Sequence, residues 1–176
     1  LGGDLGTRYA DLLQVFQEFG MELPVTKSMA ADPQIMKNIK AYNDMASLQV
    51  YGRPINDVMA GYGVACAADE AWKMLSGEPA RVVIQGMGRV GSGCALRLAE
   101  LGHKVVGMAD SKVFVSCDDG VDIDLLDSLK KEYHQLTPEI IPPGYTAEPT
   151  ENWLSKPCNI IIPAALENQI TGANVG

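Results

Sequence analysis

The chain has 176 residues, with 14 lysines and arginines against 22 aspartates and glutamates, for a net charge of −8. That acidic balance argues against a nucleic-acid backbone as the main partner, since there is no basic stripe to displace counterions. Hydrophobic residues at 47% and charged residues at 20% suit an ordinary globular chain, with no apolar run near the roughly 20 residues of a membrane span.

Without a signal-peptide pattern at its start, the chain is expected to be cytoplasmic. Cys66, Cys94, Cys117 and Cys158 lack zinc-type spacing, and only His103 and His134 could assist them. No metal site is expected, and buried free thiols in a reducing compartment are the better reading of the cysteines.

The first expected helix carries Tyr9, Leu12, Leu13, Phe16 and Phe19 on one face and stops at Gly20. Asp32-Pro33 is an N-cap followed by a first-turn proline, and predicts a helix running to about Leu48. Tyr51-Gly52-Arg53-Pro54 reads as a turn. Another helix is expected from Gly61 to Leu75, its small residues suiting close packing. Val82-Val83-Ile84 has strand length and β-branched character. A helix on the face Val90, Cys94, Leu98 and Leu101 follows, and then a strand from Lys104 to Met108. Strand, helix and strand in so short a span make a βαβ unit and imply a parallel sheet.

Downstream, Val113–Val115 reads as a short strand and Asp122–His134 as a helix, with Lys130 and Lys131 complementing the dipole at its end. The four-proline stretch from Thr137 to Thr150 reads as loop, and Cys158–Ile162 as a buried strand ending at Pro163. The expected fold is α/β, a Rossmann-like parallel sheet with flanking helices, preceded by a short helical segment.

The chemistry lies in Gln85-Gly86-Met87-Gly88-Arg89-Val90-Gly91, a G-x-G-x-x-G run between an expected strand and an expected helix. In that setting the first glycine permits a tight turn, the second lets backbone approach a pyrophosphate, and the third lets helix and strand pack closely. The helix start offers free N–H groups and a positive dipole end to phosphates, and Arg89 could pair with one. Asp110, with Ser111 beside it, closes the next strand about 20 residues on, where a carboxylate accepts from the adenosine ribose diol. An acid there favours NAD, because a 2′-phosphate would meet a carboxylate. Lys112 softens that preference and leaves NADP open. A structural glycine turn is the plain alternative for the whole run.

Four stretches together resemble the glutamate/leucine/phenylalanine/valine dehydrogenase family. They are GGDLGT at the start, GRPINDVMAGYGV, VVIQGMGRVGSGCALRLAELGHKVVGMADS, and CNIIIPAALENQIT, the last closest to glutamate dehydrogenases. The resemblance implies an enzyme that oxidatively deaminates an L-amino acid to a 2-oxo acid, with hydride transfer to a nicotinamide. It implies that residues 1–50 are a remnant of the substrate domain with connecting helices. Residues 51–176 would then be the NAD(P)-binding domain, truncated at its end. Asp4 would be the proton-relay aspartate. Ala164 and Ala165 would meet the nicotinamide side of the cofactor by backbone, and Asn168 would hydrogen-bond its ribose or carboxamide. A homo-oligomer, commonly a hexamer, is also implied.

Three departures stand out. Ala60 replaces a threonine whose hydroxyl would hold the carboxamide, and Arg89 replaces an asparagine. The glycine-flanked catalytic lysine is missing too, since Lys27, Lys37 and Lys40 lack its context. This chain alone is therefore expected to bind dinucleotide without turning over an amino acid. Two other readings remain: a non-catalytic NAD(H)-sensing domain of the potassium-transport type, and an S-adenosylmethionine methyltransferase.

Overall fold

The computed structural model describes residues 14–15, 17–18 and 31–174. Asp4 and the apolar face expected on the first helix lie outside the described residues, although 14–15 and 17–18 are helical. Two compact units divide at Leu48/Gln49.

In the first unit, α1 (Pro33–Ala46) starts as its sequence predicts. Asp32 Oδ1 accepts from the Gln34 N–H at 2.8 Å and caps the helix ahead of Pro33.

The second unit opens with a hairpin, β1 (Gln49–Val50) against β2 (Arg53–Pro54). Tyr51 and Gly52 turn it with φ of 54° and 68°, the left-handed pair that matches the twist of two strands. A short 3₁₀ turn at Ile55–Asp57 leads into α2 (Met59–Lys73). Then come β3 (Arg81–Gln85), α3 (Arg89–Glu100), β4 (Lys104–Ala109), β5 (Phe114–Ser116) and α4 (Ile123–Tyr133). Asp122 caps α4 by accepting from the Leu125 N–H, and His134 ends it at φ 62°. The last two strands are β6 (Thr146–Glu148) and β7 (Ile160–Pro163), with a 3₁₀ segment at Thr150–Ser155 between them.

The five-stranded sheet has the order β6-β5-β4-β3-β7. The α/β class is as expected, but the sheet is mixed. β4, β3 and β7 run parallel, while β5 is antiparallel to both β4 and β6. The connection from β4 to β5 is the tight turn Asp110–Val113, closed by Asp110 N–H donating to the Val113 carbonyl at 2.8 Å. A turn that short can only make a hairpin, because a parallel crossover needs a dozen or more residues. The proline-rich stretch read as loop holds β6, which among the described residues is an outer strand paired with β5 alone. β7 is the other edge among the described residues. Its Ile162 is buried but Ile161 is 37% exposed, so the run is covered on one side rather than on both.

The period-two alternation of β3 separates two apolar clusters. Val82 and Ile84 face Ala65, Cys94, Leu98 and Leu126 on the helical side. Val83 faces Val106, Phe114 and Trp153 on the other, under the Thr150–Ser155 turn. α2 and α3 approach backbone to backbone. A Cβ on Gly61 would stand 2.1 Å from the Val90 carbonyl oxygen, and one on Gly93 would stand 2.7 Å from that of Val58.

The four cysteines are free, and only Cys94 is fully buried. Burial, with Cys66 nearby, pushes its thiol up to about 12, which makes it inert at neutral pH. No helix among the described residues is long and apolar enough to cross a membrane.

Candidate functional site

The strand order reverses at β3: the chain moves to one side of it for β4 and returns on the other for β7. In open α/β sheets the crevice outside the strand ends at such a switch point is where ligands bind. The glycine run leaves β3 at this point. Gly86 takes φ 106°, a conformation that favours glycine, and its N–H donates to the Ala109 carbonyl at 2.7 Å. A Cβ on Gly86 would lie 2.7 Å from the Ala164 carbonyl oxygen, and one on Gly91 only 1.9 Å from that of Gly86.

Gly88 is different. It is exposed, caps α3 with extended backbone at φ −90°, and has nothing within 4 Å of where a Cβ would stand. Two glycines of the run are thus demanded by packing, and the middle one opens on empty space at a helix start. No side chain caps α3 there. A backbone so arranged can take a diphosphate on its N–H groups without steric obstruction, so the residues present fit a dinucleotide.

A cleft of about 370 Å³ opens beside Gly88 and Ser92, bordered by Arg53, Asp57, Arg89 and Lys131. Arg89, at the first turn of α3, ion-pairs with Asp57 at 3.7 Å. Arg53 reaches from the hairpin to Asp124 at 3.2 Å and Asp127 at 3.0 Å, tying β2 to α4. Met87, though buried, also lines the cleft, and Val90 is half-buried.

The turn after β7 meets the glycine loop directly. The Ala164 N–H donates to the Gln85 carbonyl at 2.8 Å, and Ala165 lies against Gly86. Asn168 is exposed and left-handed at φ 58°. Its neighbour Gln169, which the sequence did not single out, accepts from Gln85 Nε2 at 2.6 Å. The side-chain oxygen of Gln85 is buried without a partner in this junction.

Asp110 stands at the end of β4, with only 9% of its side chain exposed. Its carboxylate holds Lys130 of α4, whose ammonium lies 2.8 Å from Oδ1 and also donates to the Met87 carbonyl at 3.2 Å. Thr150 donates to the Asp110 carbonyl, and Gln135 Nε2 donates to Ser111 Oγ at 3.1 Å. Lys112 is exposed, so the cation set on Asp110 comes from α4 and not from its own turn. The sequence placed Lys130 only as a helix-end cation. Its partner is set by how α4 lies across the sheet.

Ala60 is exposed at the second position of α2. Among the described residues no group of three or more His, Cys, Asp and Glu side chains is placed to hold a metal ion.

Residues 52–176 match the family model of the glutamate/leucine/phenylalanine/valine dehydrogenases. The NADP-specific glutamate dehydrogenase of Saccharolobus shibatae is 32% identical over 97% of this chain and 43% of its own length. The catabolic NAD-specific glutamate dehydrogenase RocG of Bacillus subtilis is 36% identical over 64% of this chain and 26% of its own. The chain thus spans less than half the length of these relatives. Among solved structures, Plasmodium falciparum glutamate dehydrogenase superposes with a TM-score of 0.58 at 26% identity, over 65% of this chain and 26% of that one. The hetero-hexameric glutamate dehydrogenase of Thermus thermophilus, at 24% identity, shares the fold with a TM-score of 0.64 over 99% of this chain and 38% of that one.

Proposed function

The chain belongs to the glutamate/leucine/phenylalanine/valine dehydrogenase family, and on that premise we propose that it is the dinucleotide-binding part of an amino-acid dehydrogenase of the glutamate type. The whole enzyme oxidatively deaminates L-glutamate or a similar L-amino acid to a 2-oxo acid, with hydride passing to NAD or NADP. The observation that carries this reading is the junction at the sheet's switch point. There the open Gly88, the packed Gly86 and Gly91, and the Ala164–Ala165 turn meet within the family-matched stretch.

In this reading the backbone N–H groups from Met87 to Gly91 bind the pyrophosphate, and Asp110 with Ser111 orients the adenosine ribose. Ala164, Ala165 and Asn168 border the nicotinamide, which supplies the hydride acceptor when bound. Asp4 relays protons during deamination, a task a positioned carboxylate performs well. Residues 1–50 are substrate-domain and connecting segments, and 51–176 form the NAD(P)-binding domain. Its partners are a small-molecule substrate and further copies of the chain, in the cytoplasm. The match over residues 52–176 does not favour a non-catalytic sensing module.

None of Lys27, Lys37 and Lys40 has the glycine context of the family's catalytic lysine, so turnover is assigned to a longer polypeptide. The test is amino-acid-dependent reduction of NAD⁺ or NADP⁺. The expected result is none from these residues alone and turnover from a longer protein that contains them. Turnover by this chain alone would overturn the division of labour. Failure of the longer protein with glutamate and other L-amino acids would overturn the reading.

A further inference from the structure

The turn after β7 carries Ala164, Ala165 and Asn168, yet its larger apolar side chains do little to hold it. Leu166 is 61% exposed and Ile170 48%. Its order comes from polar bonds. Gln169 Nε2 donates to the Glu167 carbonyl at 3.0 Å, and Asn174 Nδ2 donates to the Gln169 carbonyl at 2.8 Å. The Thr171 N–H donates to Asn174 Oδ1 at 2.7 Å. A side-chain bond then fastens this folded-back segment to the sheet, with Gln85 Nε2 donating to Gln169 Oε1 at 2.6 Å. Gln85 ends β3 between Ala109 of β4 and Pro163 of β7, so the anchor sits at the switch point, immediately before Gly86.

The anchor is not built for stability. The side-chain oxygen of Gln85 is buried without a partner, and a buried amide satisfied on one side only subtracts from the stability of the fold. Two apolar side chains of similar size would hold the strand end and the turn together at least as well. They would not fix the direction and distance between them, which a hydrogen bond does.

We infer that Gln169, held by Gln85, is a positioning residue for the nicotinamide half of the dinucleotide. The amide pair keeps residues 164–170 folded against the glycine loop, so that Ala164, Ala165 and Asn168 meet the cofactor already ordered. The inference rests on the dinucleotide reading above and deepens it. Neither amide has to touch the ligand. A turn ordered beforehand binds more tightly than one that must lose its freedom on binding. Asn168 sharpens the demand, because its φ of 58° is a backbone state that a free chain populates sparsely. The pyrophosphate and adenosine ends of the site are built on α3 and β4 instead. Loosening the turn should therefore separate the two halves of the ligand.

The experiment is calorimetric titration of the chain with NADH and with ADP, which carries the adenosine and pyrophosphate without the nicotinamide. It uses wild type, Gln169→Met, the double variant Gln85→Met/Gln169→Met and Gln169→Glu, with folding checked by thermal melts. Wild type should bind NADH more tightly than ADP. Both Met variants should weaken NADH at least tenfold and leave ADP within about twofold, the double variant melting no lower than wild type. Gln169→Glu keeps an oxygen acceptor for the Gln85 amide and should hold NADH within about threefold. If the double variant fails to fold, Gln169→Met carries the test. Equal weakening of NADH and ADP, or unchanged NADH binding, would overturn the assignment. Wild type that binds ADP as tightly as NADH would overturn it too, while leaving the dinucleotide reading intact. Binding of neither ligand by wild type would defeat that reading first and this inference with it.

Discussion

A Cβ placed on Gly91 would stand 1.9 Å from the carbonyl oxygen of Gly86, whereas one placed on Gly88 meets nothing within 4 Å. The glycine run thus contains residues of two kinds. Gly91→Ala drives a methyl into backbone that cannot yield and should cost about 3 kcal/mol or more, the upper range for overpacking. Gly88→Ala, at an extended and exposed helix cap, should change stability by less than about 1 kcal/mol. Urea unfolding of the two variants checks this. Equal losses would mean that the whole run is structural.

His103 is buried between α2 and the start of β3. Its Nδ1 accepts from the Ala80 N–H at 2.9 Å, which leaves Nε2 to donate to Asp69 Oδ1 at 3.0 Å. Asp69 also holds Lys73 at 2.7 Å. The hydrogen bond from Lys73, aided by His103 and opposed by burial, keeps the Asp69 carboxyl below its ordinary value of 3.8. A depressed acid adds stability that is complete above that ordinary value and fades as pH falls below it towards the folded-state value. Asp69→Asn should therefore be less stable than wild type at neutral pH, with the gap narrowing only below about pH 4. A gap that stays constant on acidification would contradict the arrangement.

Replacing His103 with phenylalanine would leave both the Ala80 N–H and the Asp69 carboxylate short of a partner in the interior. Loss of about 1–3 kcal/mol is expected by urea unfolding at neutral pH. A neutral outcome would mean that solvent reaches both groups.

Much of this was legible from sequence because local signals and tertiary demands coincide. The strand ending at Gln85, the glycine run and the helix after it each follow from residue type, and Asp110 falls at the next strand's end as its spacing predicts. Other features were decided by geometry that spacing does not carry. Strand direction at β5 depended on a four-residue turn. β6 lay hidden among prolines because an outer strand needs so little of its own pattern. Three consecutive isoleucines suggested burial on both faces, yet β7 leaves Ile161 exposed. Lys130 and Gln169 reach Asp110 and Gln85 across 20 and 84 residues of chain. Only the packing of α4 on the sheet and the fold-back after β7 bring them there.

The central claim is that the open face at Gly88 receives a dinucleotide, and titration of wild type and Gly88→Ala with NADH tests it most directly. Wild type should bind saturably. A folded Gly88→Ala should bind at least tenfold more weakly, a difference of about 1.4 kcal/mol, because the added methyl occupies the space the pyrophosphate needs. Equal affinity in the two proteins, or no saturable binding by wild type, would contradict the account.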